Sequence, residues 1–329
     1  MREDLRHWIL PSPHPSPSTG GGRVAVLFLS FGGPEQPPDV MPFLEQVSQG
    51  RGIPRDRLLT VARHYETMGG ASPINEITRR QAEALRVSLQ RNGKPFPVYI
   101  GQLFWPPLLE DALRQMAQDG LKRAIGFVTA AHRCEASWDR YRNAVEEARQ
   151  HLGTSAPVVE YVGPWFDHPL FIEAIVARVE QALQTIPAGS RDDLAWIFTA
   201  HSIPCTMAKA SSYEEELQTT AQRVAEKFRQ KDWTLAYCSR SGNPQDPWLT
   251  LGINDAIREQ ASRGARTMFV IPIGFTADHV EVLFDLDVEA KETAQKLNVG
   301  FYRARTVGDH PSFIRMIADV IQRHSGVCR

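Results

Sequence analysis

Short apolar runs, spaced by segments of helical period, set the plan of the chain. Val24–Leu29, Pro97–Gly101, Ala124–Val128 and Val158–Val162 are compact and apolar enough to predict buried strands. Leu194–Thr199, Thr234–Cys238, Thr267–Ile273 and Val299–Tyr302 predict four more in the second half. Amphipathic segments lie between them: Glu76–Arg91, Leu108–Asp119, Glu135–Gln150, Phe171–Thr185, Glu214–Gln230 and Leu249–Ser262. Strands alternating with helices predict parallel sheets joined by crossovers. The expected fold is therefore α/β, with two doubly wound domains, a four-stranded parallel sheet in each, and a cleft between them. The two halves read as variations on one plan, although no short repeat is present.

Gly163-Pro164-Trp165 is the expected boundary. It divides an N-terminal domain, residues 23–163, from a C-terminal domain, residues 164–306. Residues 307–329 hold a last helix, Ser312–His324, expected to pack back on the body. Residues 1–22 end in Pro-Ser-Pro-His-Pro-Ser-Pro-Ser-Thr-Gly-Gly-Gly and predict a disordered tail without the apolar core of a secretory signal.

The 329 residues are 42% hydrophobic and 23% charged, with a formal net charge of −1. That balance gives no support for a nucleic-acid partner. Apolar runs are too short for a membrane span. The cysteines, Cys134, Cys205, Cys238 and Cys328, are scattered and form no C-x-x-C pair. They fit a reducing cytoplasm and supply no zinc or iron–sulfur signature.

Open α/β sheets bind ligands beyond the carboxyl ends of their strands. Polar features gather at those ends: Ser30-Phe31-Gly32-Gly33-Pro34, Thr129-Ala130-Ala131-His132, Thr199-Ala200-His201-Ser202, and Thr276-Ala277-Asp278-His279. A cleft between the domains would bring them together. Gly32-Gly33 can equally be a tight turn, His132 and His201 can be satisfied core histidines, and His279 can cap a helix. G-x-G-x-x-G and a P-loop are both absent, so neither a dinucleotide site nor nucleotide hydrolysis is indicated.

Asp278–Glu289 inverts the usual surface-helix pattern. At about 100° per residue Glu281, Asp285 and Glu289 form one stripe with Asp278 beside it, and most other directions are apolar; Asp287 is the exception. Carboxylates on a mostly buried helix are costly unless they bind a proton, a metal or a partner charge. The competing explanation is a half-exposed helix with acidic residues favoured by the dipole at its start.

Several segments together resemble the ferrochelatase family: Leu29-Ser-Phe-Gly-Gly-Pro34, Tyr65-Glu-Thr-Met-Gly-Gly-Ala-Ser-Pro-Ile74, His201-Ser-Ile-Pro204, Cys238-Ser-Arg-Ser-Gly242 through Asp246-Pro-Trp248, and Gly274-Phe-Thr-Ala-Asp-His-Val-Glu-Val-Leu283. The resemblance covers the chain after residue 22. It implies a two-domain, Rossmann-like chelatase fold and insertion of Fe²⁺ into a porphyrin, protoporphyrin IX or coproporphyrin III, late in haem biosynthesis. It implies that His201 and Glu281 meet the metal and the pyrrole protons, and that Asp285 and Glu289 continue a proton or metal relay. It places Phe31, His64, Tyr65, Ser72 and Tyr141 on the porphyrin. His132, at the end of a strand, is expected to join them. The residue types suit the chemistry, because a neutral histidine accepts a proton near pH 7 and imidazole with carboxylate suits Fe²⁺ that must be released again. Phe104 and Trp105 are further candidates for an apolar, aromatic cleft.

Two departures stand out. Some bacterial relatives carry tyrosine at the position of Phe31, and phenylalanine cannot ligate iron. Other relatives hold a [2Fe–2S] cluster on cysteines near the C-terminus, where this chain has only Cys328; no cluster and no other cofactor is expected. Leu44–Arg57 is charged and lacks an apolar lip, so a cytoplasmic protein with at most peripheral membrane contact is expected, and a monomer. The alternatives are a chelatase for another tetrapyrrole and metal, such as cobalt or nickel with sirohydrochlorin, and a non-catalytic tetrapyrrole carrier.

Overall fold

The computed structural model describes residues 9–10, 24–91, 95–191, 193–240 and 246–326. The first sheet contains β1 (Ile9–Leu10), β2 (Val24–Ser30), β3 (Val98–Gln102), β4 (Arg123–Val128) and β5 (Val158–Tyr161), in the order β1-β3-β2-β4-β5. The second contains β6 (Leu194–His201), β7 (Trp233–Cys238), β8 (Thr267–Pro272) and β9 (Gly300–Arg303), in the order β7-β6-β8-β9. Every pairing is parallel except that of β1, which runs antiparallel along the edge of β3 with Ile9 opposite Tyr99. That strand corrects the expected tail: an open sheet edge offers unpaired backbone groups, and Ile9–Leu10 takes them up. The rest of the expected tail lies outside the described residues.

Leaving β1 aside, the two sheets share one order, in which the second strand flanks the first on one side and the third and fourth on the other. The order reverses at β2/β4 and at β6/β8, and ligands of such sheets sit at that reversal. The helices are α1 (Val40–Ser48), α2 (Arg55–Thr67), α3 (Ile74–Arg91), α4 (Leu109–Gln118), α5 (Arg140–Leu152), α6 (Pro169–Thr185), α7 (Cys205–Lys209), α8 (Tyr213–Lys227), α9 (Ile253–Ser262), α10 (Val280–Val282), α11 (Lys291–Lys296) and α12 (Pro311–His324). The shared plan extends to α6 and α12. Each opens with His-Pro, and the histidine side chain accepts a backbone N–H two residues on, His168 from Leu170 and His310 from Ser312.

Trp165, at the expected boundary, is buried between Phe127 at 5.4 Å and Phe171 at 4.9 Å between ring centroids. One apolar core runs from Leu27 of the first sheet to Phe198 of the second. Helix α12 packs on α3 and α6 and touches β4, so this last helix lies against the first sheet. Helices α1, α2 and α7 were not evident from periodicity. Helix α2 is largely polar, and α1 hides Val40, Phe43 and Leu44 in a local cluster.

Candidate active site

His201 is the last residue of β6, at the reversal point of the second sheet. Its Nδ1 lies in hydrogen-bond contact with the carbonyl of Ser202. A carbonyl only accepts, so Nδ1 carries the proton and the Nε2 lone pair of the neutral ring is left free. That Nε2 stands 3.8 Å from Oε2 of Glu281, with the imidazole 30% and the carboxylate 43% exposed. Behind the ring, the buried Tyr213 hydroxyl donates to the His201 carbonyl at 2.9 Å. Gly274 makes the approach of Glu281 possible. A Cβ there would fall 2.4 Å from Cβ of Ala200, so only glycine lets the chain leaving β8 lie this close to the end of β6.

Glu281 is the second residue of a continuous helical run made of α10, a π-helical stretch over Leu283–Ala290, and α11. The rotation of 100° per residue expected from sequence does not hold here. Val282, Leu286, Ala290 and Ala294 are fully buried at a constant spacing of four, the stripe of a helix wider than 3.6 residues per turn. Glu281, Asp285 and Glu289 flank that stripe at the same spacing. The helix is half-buried and not mostly buried as expected, and Glu289 is exposed. The other two acids of the segment are paired: Arg303 grips Asp287 with two bonds of 2.7 Å and Asp278 with one of 2.8 Å.

Asp285 instead receives a hydrogen bond from the Ser239 hydroxyl. Burial, opposed by that bond and reinforced by Glu281 and Glu289, pushes the Asp285 carboxyl up to about 7. The partial desolvation of its carboxylate and then Glu292 also raise Glu289. The site thus offers a free imidazole nitrogen, a facing carboxylate and a carboxyl poised near neutrality, which together can accept a proton and pass it on. Nε2 of His201 and Glu281 are the donors available to a metal; among the described residues His, Cys, Asp and Glu do not gather in threes.

The opposite wall comes from the first sheet. Phe31 follows β2, packs on Phe104 at 4.7 Å and on Phe43 at 6.3 Å, and reaches Ile74, Ile77 and Ala277. Tyr65 of α2 is buried against Phe43, and burial followed by Glu281 raises its hydroxyl well above the ordinary range. His64 stacks on Phe284 of the acidic run. Its pKa is lowered, first by burial and then by Arg57. Phe31, His64, Tyr65 and Glu281 are therefore brought together. Three other candidates are buried away from this group. Ser72 is buried under Gly33 and accepts from the Ile74 N–H at 3.4 Å, a local turn contact. Tyr141 is buried. His132 is 2% exposed, with Nε2 2.9 Å from Thr220 Oγ1 and its ring edge-on to Tyr213. Burial pushes the His132 imidazole down to about 3, so it stays neutral and supports Tyr213.

Sequence reasoning missed Arg140, Tyr213, Ser239 and Arg303. The Arg140 guanidinium lies 4.9 Å over the Phe104 ring, half-buried, with burial and then Arg51 lowering its pKa. Its only sequence signal is adjacency to Tyr141. Ser239 adopts a left-handed backbone, φ 61°, that aims it at Asp285. Ser241 and Gly242 of the matching motif lie outside the described residues, as does Cys328; Cys134 and Cys238 are buried and Cys205 half-buried.

A family model described as ferrochelatase matches residues 23–325. The chain belongs to the ferrochelatase family. A ferrochelatase of Rhodopirellula baltica is 43% identical over 303 residues, covering 92% of this chain and 86% of that protein. A coproporphyrin III ferrochelatase of Mycolicibacterium smegmatis is 41% identical over 300 residues, covering 90% and 88%. Among solved structures, SirB from Bacillus subtilis with Fe³⁺ superposes with a TM-score of 0.56 at 11% identity, covering 92% of this chain and 95% of that one, which speaks for the fold alone. As a ferrochelatase-family chain, the protein is a metal chelatase that inserts iron into a porphyrin for haem.

Proposed function

We propose that the enzyme metallates coproporphyrin III with Fe²⁺, using His201 and Glu281 at the reacting centre. Insertion must remove both pyrrole N–H protons. The Nε2 of His201 takes a proton, and the observation that carries this role is the Nδ1 bond to Ser202, which fixes the tautomer whose lone pair lies on Nε2, facing Glu281. Glu281 faces it, shares the metal, and hands protons to Asp285 and on to Glu289. Phe31, His64 and Tyr65 line the macrocycle, with Ser72, His132 and Tyr141 buried away from them.

Two observations favour coproporphyrin III over protoporphyrin IX. Relatives of similar length carry that substrate in their names. The half-buried Arg140, stacked on Phe104, also offers a cation at the cleft edge, and coproporphyrin III bears propionates where protoporphyrin IX bears vinyl groups. The relatives do not favour a sirohydrochlorin chelatase or a carrier. The proposal includes no resident cofactor or [2Fe–2S] cluster, with porphyrin and Fe²⁺ as substrates. It also takes the protein to be a cytoplasmic monomer; among the described residues no helix is long and apolar enough to cross a membrane.

The test is anaerobic. Purified protein is mixed with Fe²⁺ and either coproporphyrin III or protoporphyrin IX, and porphyrin fluorescence is followed as metal enters. Faster loss with coproporphyrin III supports the substrate assignment. Equal or faster loss with protoporphyrin IX rejects that assignment, and no loss with either rejects the function.

A further inference from the structure

A π-helical run of eight residues needs an external hold, because such turns are rare and usually brief. One side chain ties the inside of the run to the segment that precedes it. Arg303 closes β9, whose backbone pairs with β8, and its side chain is 9% exposed. Nε and Nη2 donate to the two oxygens of Asp287 at 2.7 Å each, Nη1 donates to Asp278 at 2.8 Å, and Nη1 also reaches the Ala304 carbonyl at 3.0 Å. Asp278 further accepts from the Thr306 N–H at 3.4 Å. Asp278 precedes the helical run and Asp287 lies inside the π-helical stretch, so the two anchors bracket both Glu281 and Asp285 in the chain.

We propose that Arg303 is a positioning residue: by tying Asp278 to Asp287 it sets where Glu281 stands relative to His201. The inference rests on the chelatase reading of the site. Arg303 touches neither His201 nor Glu281; its effect passes through the backbone it pins. Its fork is planar and bidentate on Asp287, so a point charge cannot replace it. Without the tie the wide turns are free to relax toward an ordinary α-helix, which would rotate Glu281 against the fixed end of β6. A misplacement of about 1 Å at a reacting centre can cost roughly 10²-fold.

Arg303→Lys keeps the charge and removes the fork. Asp287→Asn removes the charge and one of the two acceptor oxygens of the outer anchor and leaves the Asp278 pair in place. Both are assayed beside the wild type for coproporphyrin affinity by fluorescence quenching, for kcat, for the KM of Fe²⁺ and for thermal melting. The expected result in both folded variants is a KM for Fe²⁺ raised about fivefold or more, with kcat/KM down about tenfold or more and porphyrin affinity within about twofold of wild type. A purely structural residue would lower melting and the active fraction but leave the KM for Fe²⁺ unchanged, and that result overturns the proposal. Wild-type kinetics in Asp287→Asn overturns it as well. Absence of turnover in the wild type would instead reject the chelatase reading.

Discussion

The imidazole of His64 lies flat on the ring of Phe284, with centroids 3.8 Å apart and planes 8° from parallel. This stack joins α2 to the acidic helical run. On the proposed function, it borders the cleft that takes the macrocycle. Arg57, about two helical turns before His64, adds a bond of 3.4 Å to the Arg240 carbonyl. The ring stack is one a large aromatic substrate can replace with its own.

His64→Ala should therefore speed porphyrin association and lower stability together. Ring pairs of this kind contribute about 0.5–1.5 kcal/mol beyond buried area. Stopped-flow fluorescence and thermal melting on the same variant measure both. Slower association would show that His64 guides the porphyrin in and does not hold the cleft shut.

Much of the fold was legible because its strands are buried on both faces and so read as uninterrupted apolar runs, as in Val24–Ser30 and Thr267–Pro272. His201 and Glu281 were legible as polar residues just past those runs. What stayed hidden depends on partners distant in sequence. Asp287 read as an oddity on an apolar helix until Arg303 emerged opposite it. His132 sits at a strand end like His201, but neighbouring α8 covers it, and strand position alone cannot tell a covered end from an open one. Helix α2 carries His64 and Tyr65 yet has a polar surface, so its period is weak.

Arg140 should discriminate between porphyrins. Arg140→Met keeps the packing on Phe104 and removes the cation. We expect the Kd for coproporphyrin III to rise by about tenfold, the loss of one charge-assisted bond of roughly 1.5–3 kcal/mol. Protoporphyrin IX should be affected less. Equal losses for both porphyrins would mean that Arg140 supports the wall through Phe104 and reads no propionate.

His201→Ala and Glu281→Gln probe the reacting pair. The imidazole's own side-chain bond in the fold is the local one to Ser202, so the alanine variant should stay folded. Turnover should fall about 10²–10⁴-fold, the usual loss of a general base. Glu281→Gln keeps size and hydrogen bonding and should also cut turnover severely while porphyrin binding persists. Normal turnover in either folded variant removes that residue from the mechanism.

No iron–sulfur centre is expected, because a [2Fe–2S] cluster usually takes four cysteine ligands and the two buried thiols, Cys134 and Cys238, lie in separate domains. Burial raises both thiols, so neither is readily deprotonated for ligation. Protein purified without oxygen should contain no stoichiometric acid-labile sulfide. Finding it would place a cluster on this chain.

Asp285 gives the sharpest dependence on pH. Its folded-state value of about 7 lies above that of an unfolded aspartate, near 3.9. The folded protein therefore holds a proton that the unfolded chain has released. The stability this provides is complete below about pH 4 and is lost as pH rises through about 7. Asp285→Asn removes the titration. Relative to wild type, the variant should gain stability between pH 5 and pH 8 by on the order of 1–2 kcal/mol, after allowing for partial solvent screening. The rate should show the same group. As a relay, Asp285 must be ionised to accept a proton from Glu281, so wild-type turnover should rise as pH passes through about 7. That limb should flatten in Asp285→Asn, and Ser239→Ala, which removes the bond opposing the shift, should move it to higher pH. Melting and turnover measured across pH on the three proteins separate the possibilities. A melting difference equal at pH 5 and pH 8 means the Asp285 carboxyl is not raised, and a rate limb that survives in Asp285→Asn belongs to another group.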